Sequence, residues 1–403
     1  MLRGGRVAVV GGSIAGCAAA LAAHRGGAAE VTVFERAPGH LADRGVGLAM
    51  HNDRYAELEA AGYVDASMPW LQLGRRCWYV RDGSAPLGRR IGVLPFPFRT
   101  YNWGPLWREL RERVPGSAEF RSGTAVTSVE VTPDGVELAM GPDGPGERFD
   151  LVIGADGYRS AVRTAACPEV RPRYAGYLAW RGAFAAERLM APELWPDEDC
   201  VYAVFPGGHV IIYRIPDGRG GLRINWVLYT APPPDLALRF DNPTSLPPGT
   251  LAETLHTRLA HIADTRLAPY WGQLVRTTTA DELFVQPMYD FTAPHYANGR
   301  LVLAGDAATV ARPHTGGGAV KALQDATALE KCLTGEPDWR AALSAYDTGR
   351  ATSGRSMVEL GRRLGVGLVE QTPDWSAMDQ GGLEKWWQQV DGSGGFGGRR
   401  LTS

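Results

Sequence analysis

Near its start the chain reads Val7-Ala8-Val9-Val10-Gly11-Gly12-Ser13-Ile14-Ala15-Gly16. An apolar run that breaks into glycines ahead of a helix former brings bare backbone N–H groups against phosphate oxygens. Gly11, Ser13 and Gly16 would make such a turn. Glu35, 19 residues beyond Gly16, ends the run Val31-Thr32-Val33-Phe34, where a carboxylate can accept from ribose hydroxyls. Two aspartates follow apolar runs in the same way: Asp156 in Gly154-Ala155-Asp156-Gly157 after Phe149-Asp150-Leu151-Val152-Ile153, and Asp306 in Gly305-Asp306 after Leu301-Val302-Leu303-Ala304. Open parallel sheets bind ligands at the carboxyl ends of their strands, so both aspartates are expected at the edge that carries the Gly11 turn. The chemistry this pattern serves is dinucleotide binding.

The same opening residues admit a rival reading. Arg3 and Arg6 ahead of an apolar run, with Ile14-Ala15-Gly16 before Cys17, resemble a signal segment cut at a lipid-anchored cysteine. Gly11-Gly12-Ser13 interrupts that run, whereas a signal core needs about 7–15 unbroken apolar residues. The dinucleotide reading also forecasts a helix, a second strand and an acid downstream. Cys17-Ala18-Ala19-Ala20-Leu21-Ala22-Ala23, the stop at Gly26-Gly27, and Glu35 supply them.

These turns need a scaffold, and its size suggests two domains, since 403 residues exceed the roughly 250–300 at which one core stops growing. The nucleotide domain must be discontinuous: 1–75, 100–170 and 286–345. Within it, 124–131 and 135–138 alternate as a hairpin around Pro133-Asp134. Residues 76–99 and 171–285 are expected to form a substrate domain. There Val201–Phe205, His209–Ile215 and Leu222–Leu228 read as antiparallel strands with one apolar and one mixed face. The prolines at 232–234 and 247–248 flank a surface excursion. Helices are expected through Ala319–Leu333 and Trp339–Leu364, C-terminal helices over 346–391, and a disordered glycine-rich tail over 392–403. The fold class is α/β, a Rossmann-like domain with an inserted, mainly antiparallel sheet.

With 42 basic and 44 acidic residues, no basic field exists for nucleic acid or an anionic membrane. No run approaches the roughly 18 apolar residues of a membrane helix. The five cysteines are odd in number and lack CxxC spacing. They read as buried thiols in a cytoplasmic protein, with no metal site expected. The expected partner is a small molecule, and the chain is taken as a monomer or homodimer.

In their order along the chain, Gly11-Gly12-Ser13-Ile14-Ala15-Gly16, the stretch Gly154-Ala155-Asp156-Gly157-Tyr158-Arg159-Ser160-Ala161-Val162-Arg163, and Gly305-Asp306-Ala307-Ala308 resemble the single-component FAD-dependent aromatic hydroxylases, the p-hydroxybenzoate hydroxylase-like flavoprotein monooxygenases. Arg312-Pro313-His314-Thr315-Gly316-Gly317-Gly318-Ala319, with Gly12-Ser13 and Trp180-Arg181-Gly182, looks most like the branch containing 2,6-dihydroxypyridine 3-hydroxylase.

The resemblance implies roles. Gly11, Ser13, Ile14, Ala15 and Gly16 would surround the FAD pyrophosphate, with Glu35 and the adjacent Arg36 at the AMP ribose and Val126 also on the cofactor. Arg44 would lie by the flavin, and Asp156 would support a turn used for FAD and NAD(P)H. Asp306 would meet the ribityl chain, while Pro313, Gly316, Gly317, Gly318 and Ala319 would line the isoalloxazine edge. Arg108 is the candidate for an arginine that the family places after the hairpin-bearing insert and that this chain lacks there.

The implied reaction takes electrons from NADH or NADPH through FAD to O2, and a flavin C4a-hydroperoxide then hydroxylates an electron-rich aromatic or N-heteroaromatic ring. With one Gly-x-Gly-type turn, the nicotinamide cofactor would bind transiently. His314 is the first candidate for the base, set against a histidine that only bonds backbone. Tyr213 and Trp226, on neighbouring strands, are candidates to hold the ring, set against ordinary sheet core. Arg181 and Arg214 read more readily as surface pairs. Rival functions are a flavin halogenase or reductase on the same fold, and a non-catalytic FAD-binding redox protein.

Overall fold

A computed structural model describes residues 4–39, 41, 47–141, 146–232, 253–392 and 394–399. The expected excursion around the 232–249 prolines lies outside the described residues except for Pro232. Two large sheets organise the chain. One has six strands in the order Ala297–Asn298, Leu301–Leu303, Leu151–Gly154, Arg6–Val10, Glu30–Glu35 and Glu119–Ser122; all neighbours are parallel except the first pair. Its central strands are valine-rich and buried on both faces, as parallel strands under helices must be. The alanine-dense helix Ile14–Arg25 covers one face. Small side chains let it pack closely, and every residue from Ile14 to Ala23 is buried.

The second sheet has nine strands in the order Thr309–Val310, Leu283–Thr292, Arg173–Ala185, Leu222–Thr230, Gly208–Pro216, Asp199–Phe205, Leu71–Val80, Arg89–Asn102 and Gly47–His51. The expected three strands are its centre, paired antiparallel. One joint, Asp199–Phe205 with Leu71–Val80, is parallel. Both faces are covered. Trp180, Phe184, Trp226 and Leu228 lie on one face against the helices Glu253–Thr265 and Pro269–Arg276. The other face, expected to be mixed, carries Tyr177, Tyr202, Val227 and Tyr229 and is covered partly by Trp339–Gly365 and Gln380–Asp391.

Several expected boundaries move. Cuts at 75, 99 and 285 fall inside the strands Leu71–Val80, Arg89–Asn102 and Leu283–Thr292, because each strand is long enough to run on past the segment that suggested it. The expected hairpin starts at Ser128 rather than Thr124 and gains a third strand, Glu147–Phe149. The tail expected to be disordered is ordered over 394–399, and Phe396 is buried. Glycine composition suggested disorder, but here Gly394, Gly397 and Gly398 use positive φ to lay Phe396 among Phe96, Phe98 and Trp387.

Candidate active site

The carboxyl ends of the parallel strands and the mixed face of the large sheet enclose one cavity of about 520 Å³. That is within the size range of small-molecule and cofactor sites. Ser13, Ile14, Ala15, Asp306, Pro313, Gly316, Gly317, Gly318 and Ala319 stand in its wall, from segments almost 300 residues apart.

The first turn explains the glycines. Gly11 has φ +102°, and a Cβ there would lie 2.3 Å from the Ala155 carbonyl oxygen. A Cβ on Gly16 would lie 1.8 Å from the Gly11 oxygen. Neither position tolerates a side chain, so the Gly11 and Ala155 turns pack backbone on backbone. Ser13 caps the following helix without a side-chain hydrogen bond, and no acid occupies the first turn. The helix Gly318–Gly335 likewise begins at Gly317 with neither a side-chain cap nor a first-turn acid. Two helix N-termini with free backbone donors therefore meet at the cavity, the arrangement that an anionic phosphate and an electron-rich ring both need.

Side chains lock these turns. Glu35 accepts from the Gly12 N–H at 2.8 Å and the Ala37 N–H at 2.8 Å, tying the turn to the second strand. Trp107 Nε1 donates to the Gly12 carbonyl at 2.8 Å. Asp156 accepts from the Ala161 N–H at 2.7 Å, and burial pushes its carboxyl up. Arg163 spans both aspartate turns by donating to the Tyr158 and Ala307 carbonyls. Behind the Gly305 turn, Asp325 accepts from Gly305 N–H at 2.8 Å, Lys321 Nζ at 2.6 Å and Arg350 Nε at 2.7 Å. Asp306 itself opens to the cavity; its depth in the fold pushes its carboxyl up, with Lys321 opposing.

Other expected residues lie elsewhere. Arg36 is exposed, and Val126 is half-buried in a loop beside Glu35, whose carbonyl accepts from Thr124 N–H at 2.9 Å. Arg108 is exposed and is not part of the cavity wall. One helical turn on, Arg111 instead lies over Phe120, the ring a Gly12 side chain would strike. Arg44 lies outside the described residues.

The substrate candidates divide by strand parity. Tyr213 is in the cavity wall with Tyr202, Ile211, Val227 and Tyr229. Trp226 is not: it is one residue out of phase with Val227, so its side chain points to the opposite face, where its indole donates to Thr278 at 2.7 Å. Sequence proximity of the two strands could not reveal this, whereas counting alternation from Tyr229 does. Arg214 is buried, bonding the Trp195 carbonyl at 2.9 Å and pairing with Asp197 at 3.2 Å. Arg181, which also read as a surface residue, lines the cavity.

His314 is buried in the wall. Its Nε2 lies 2.8 Å from the Tyr177 hydroxyl and its ring sits edge-on to Tyr229 with 4.4 Å between centroids. Burial holds its basicity well below the ordinary histidine value, with His209, Arg312 and Arg181 adding to the effect. His314 is thus neutral at working pH and a weak proton acceptor. Phe396, hidden within a glycine-rich tail, completes the wall from the C-terminal segment. Lys321 and Asp325 left one faint trace, their four-residue spacing on a helix.

Models of an FAD binding domain match residues 262–360, and of an FAD binding domain-like unit residues 174–290. The chain is 33% identical over 345 residues to 3-amino-4-hydroxybenzoate 2-monooxygenase of Streptomyces cremeus, covering 82% of this chain and 79% of that one. The chain belongs to the FAD-dependent aromatic monooxygenases. Within this family it is 28% identical to 2,6-dihydroxypyridine 3-monooxygenase of Paenarthrobacter nicotinovorans, over 89% of this chain and 90% of that one. The structure of 2,6-dihydroxypyridine-3-hydroxylase from Arthrobacter nicotinovorans superimposes with a TM-score of 0.80 at 27% identity, covering 92% of this chain and 94% of that one. Membership makes this an FAD-dependent monooxygenase, and the two glycine turns and paired helix N-termini fit that cofactor. Among the described residues no helix is long and apolar enough to cross a membrane.

Proposed function

We propose that this monooxygenase hydroxylates a small, electron-rich aromatic or N-heteroaromatic ring seated on the large sheet, with the parallel sheet as its FAD-binding lobe. The observation that carries this is a single cavity with two wall types: backbone donors and Asp306 on one side, tyrosines and aliphatic side chains on the other. The monooxygenation of ring compounds in the names of the relatives supports the same reading.

When bound, FAD supplies the redox chemistry that passes two electrons from NAD(P)H to O2 and places one oxygen atom on the ring. The chain supplies position and environment. The Gly11–Gly16 turn would hold the pyrophosphate, Glu35 the AMP ribose through its remaining lone pairs, Asp306 the ribityl hydroxyls, and Gly316–Gly318 the flavin carbonyl edge. Tyr213, Tyr229 and Phe396 would confine the ring and exclude water. His314, tied to Tyr177, would take a hydrogen bond from the ring hydroxyl, or give one to its oxygen, rather than hold a full proton. All five cysteines are free, which supports residence in the cytoplasm; the chain would act as a monomer or homodimer.

The test is purification, an absorption spectrum, and a panel of phenols and hydroxypyridines scored for NAD(P)H oxidation, hydroxylated product and peroxide. A flavin spectrum with at least one ring that accelerates oxidation and gains oxygen is expected. A protein that takes up no flavin on reconstitution, or that no ring stimulates, would refute the proposal.

A further inference from the structure

Tyr202 and Trp78 are direct partners in the parallel joint between Asp199–Phe205 and Leu71–Val80, so their rings share one face of the sheet with 4.6 Å between centroids. Tyr202 stands in the cavity wall, and Trp78 lies one ring behind it, fully buried. Beyond Trp78 come Trp375 at 5.8 Å and Trp386 at 5.7 Å, themselves 5.0 Å apart. Trp386 is half-buried on the outer helix Gln380–Asp391. Rings in contact therefore run from the cavity to the surface, at the shortest by way of Trp78 alone.

Packing alone does not account for these side chains. A buried indole ordinarily finds a hydrogen-bond partner. On the opposite face of the same sheet three of the four buried tryptophans do so: Trp195 donates to the Asp199 carbonyl at 3.0 Å, Trp226 to Thr278 at 2.7 Å and Trp271 to the Leu87 carbonyl at 3.1 Å. Neither Trp78 nor Trp375 does, and what these two share is ring contact.

A buried cation grades the path. Among the described residues Arg76 forms no ion pair, and its Nε has no partner. Its guanidinium lies 5.1 Å from the Tyr202 ring, 5.3 Å from Trp78 and 3.7 Å from Trp387. An arginine keeps its charge, and positive charge in a low dielectric opposes removal of an electron from a ring beside it. Among the described residues no cation lies over Trp375 or Trp386. An electron vacancy is thus disfavoured at the cavity end and favoured at Trp386, where solvent also relieves it.

We infer that Tyr202, Trp78 and Trp386 form an electron path that carries oxidising equivalents out of the cavity and protects the site from its own oxygen chemistry. This goes beyond the proposed function, since it asks for flavin and O2 but for no particular ring. When no ring takes up oxygen, monooxygenase turnover leaves hydrogen peroxide. One electron from the reduced flavin splits the peroxide into hydroxide and hydroxyl radical. The radical takes the phenolic hydrogen of Tyr202 and becomes water. Trp78 then gives an electron to the Tyr202 oxygen, which takes a proton from cavity water. Trp386 in turn gives an electron to Trp78 and releases its indole proton to solvent. The balance is one water formed from the radical and one hydrogen atom lost from Trp386, which a thiol in solution returns.

Blue light makes bound flavin a one-electron oxidant without any substrate. FAD-loaded protein is irradiated under argon with ferricyanide to accept the electron and a nitroso spin trap to mark radicals, and the marked residues are read by peptide mass spectrometry. The trap should sit on Trp386 and be absent from Trp70, an indole 36% exposed and outside the path. In Trp78→Phe the mark should be lost from Trp386 and appear at Tyr202, with flavin content unchanged. Trp386→Phe, altered at the surface, should move the mark back to Trp78 or Trp375, and it decides the matter where Trp78→Phe does not fold. The inference is overturned by a wild-type Trp386 that stays unmarked, by equal marking of Trp70 and Trp386, or by a mark on Trp386 that survives in Trp78→Phe. Any of these in a flavin-loaded protein that hydroxylates rings removes this inference alone. A protein that retains no flavin removes the proposed function as well.

Discussion

The Asp325 carboxylate, on the helix Gly318–Gly335, accepts a 2.8 Å hydrogen bond from the backbone N–H of Gly305, the residue before the cavity-facing Asp306. One buried side chain thereby couples the helix that starts at the Gly317 corner to the strand end that presents Asp306. Its two cationic partners, Lys321 and Arg350, hold it in place. Asp325→Asn should leave both cations uncompensated and lower stability by about 3–5 kcal/mol. Urea denaturation and the flavin-to-protein absorbance ratio after gel filtration both report it. Unchanged flavin content would mean that Asp325 does not hold the turn.

Gly11→Val and Gly16→Val should fold poorly or lose FAD, since their side chains would meet backbone at 2.3 Å and 1.8 Å. Cys17→Ala is the control. Its thiol is fully buried, pushed up to about 12 by that burial, and bonds the Gly12 carbonyl weakly at 3.4 Å, so flavin content and turnover should stay near wild type. Bound flavin measured after desalting discriminates the three.

Stability should fall as the solution is acidified below neutral. His209 is fully buried and its basicity is lowered by desolvation to about 3, against an ordinary value near 6.5. The unfolded chain takes up a proton there that the folded chain refuses, so the contribution is complete above pH 6.5 and erodes as pH drops toward 3. At pH 5 this one group should remove about 2 kcal/mol. His209→Phe should flatten that part of the stability profile measured by denaturant unfolding from pH 7 to 5; an unaltered slope would count against it.

Trp226 and Tyr213 should separate stability from catalysis. Trp226→Phe deletes the indole bond to Thr278 on the face away from the cavity and should destabilise by about 1–3 kcal/mol with kcat/KM unchanged. Tyr213→Ala removes cavity wall, and kcat/KM for the ring substrate should drop by about tenfold or more with FAD retained. Steady-state kinetics beside thermal unfolding shows whether the two effects part in this way.

Phe396→Ala should open the cavity to water from the side of the C-terminal segment. More of the NAD(P)H oxidised should then appear as peroxide and less as hydroxylated ring. The product-to-NAD(P)H ratio measures the change, and an unaltered ratio would exclude Phe396 from the working wall.

The strands and turns of the parallel sheet were legible because their determinants are local. At Gly11, Asp156 and Asp306 a strand runs within a few residues into its turn, and period alone locates these strands. The substrate half was less legible because its determinants are non-local. Whether Tyr213 or Trp226 meets the cavity depends on the pleat of a sheet whose register long-range pairing fixes, and Trp226 fell on the wrong side. Arg181 read as surface because composition cannot show that a nine-stranded sheet sets it, half-buried, in the cavity wall. Phe396 was hidden by the glycines that allow it to fold inward.

The parallel joint between Leu71–Val80 and Asp199–Phe205, like that between Arg6–Val10 and Leu151–Gly154, links segments more than a hundred residues apart. Such pairings must close long loops before they gain any contact, and they make folding slow. The cavity takes walls from both sheets, so it comes into being only at the end of that process. Flavin uptake should therefore mark the completed fold, and by binding that state alone it should draw slowly folding chains toward it. Supply of the cofactor during synthesis then becomes a determinant of how much native protein accumulates.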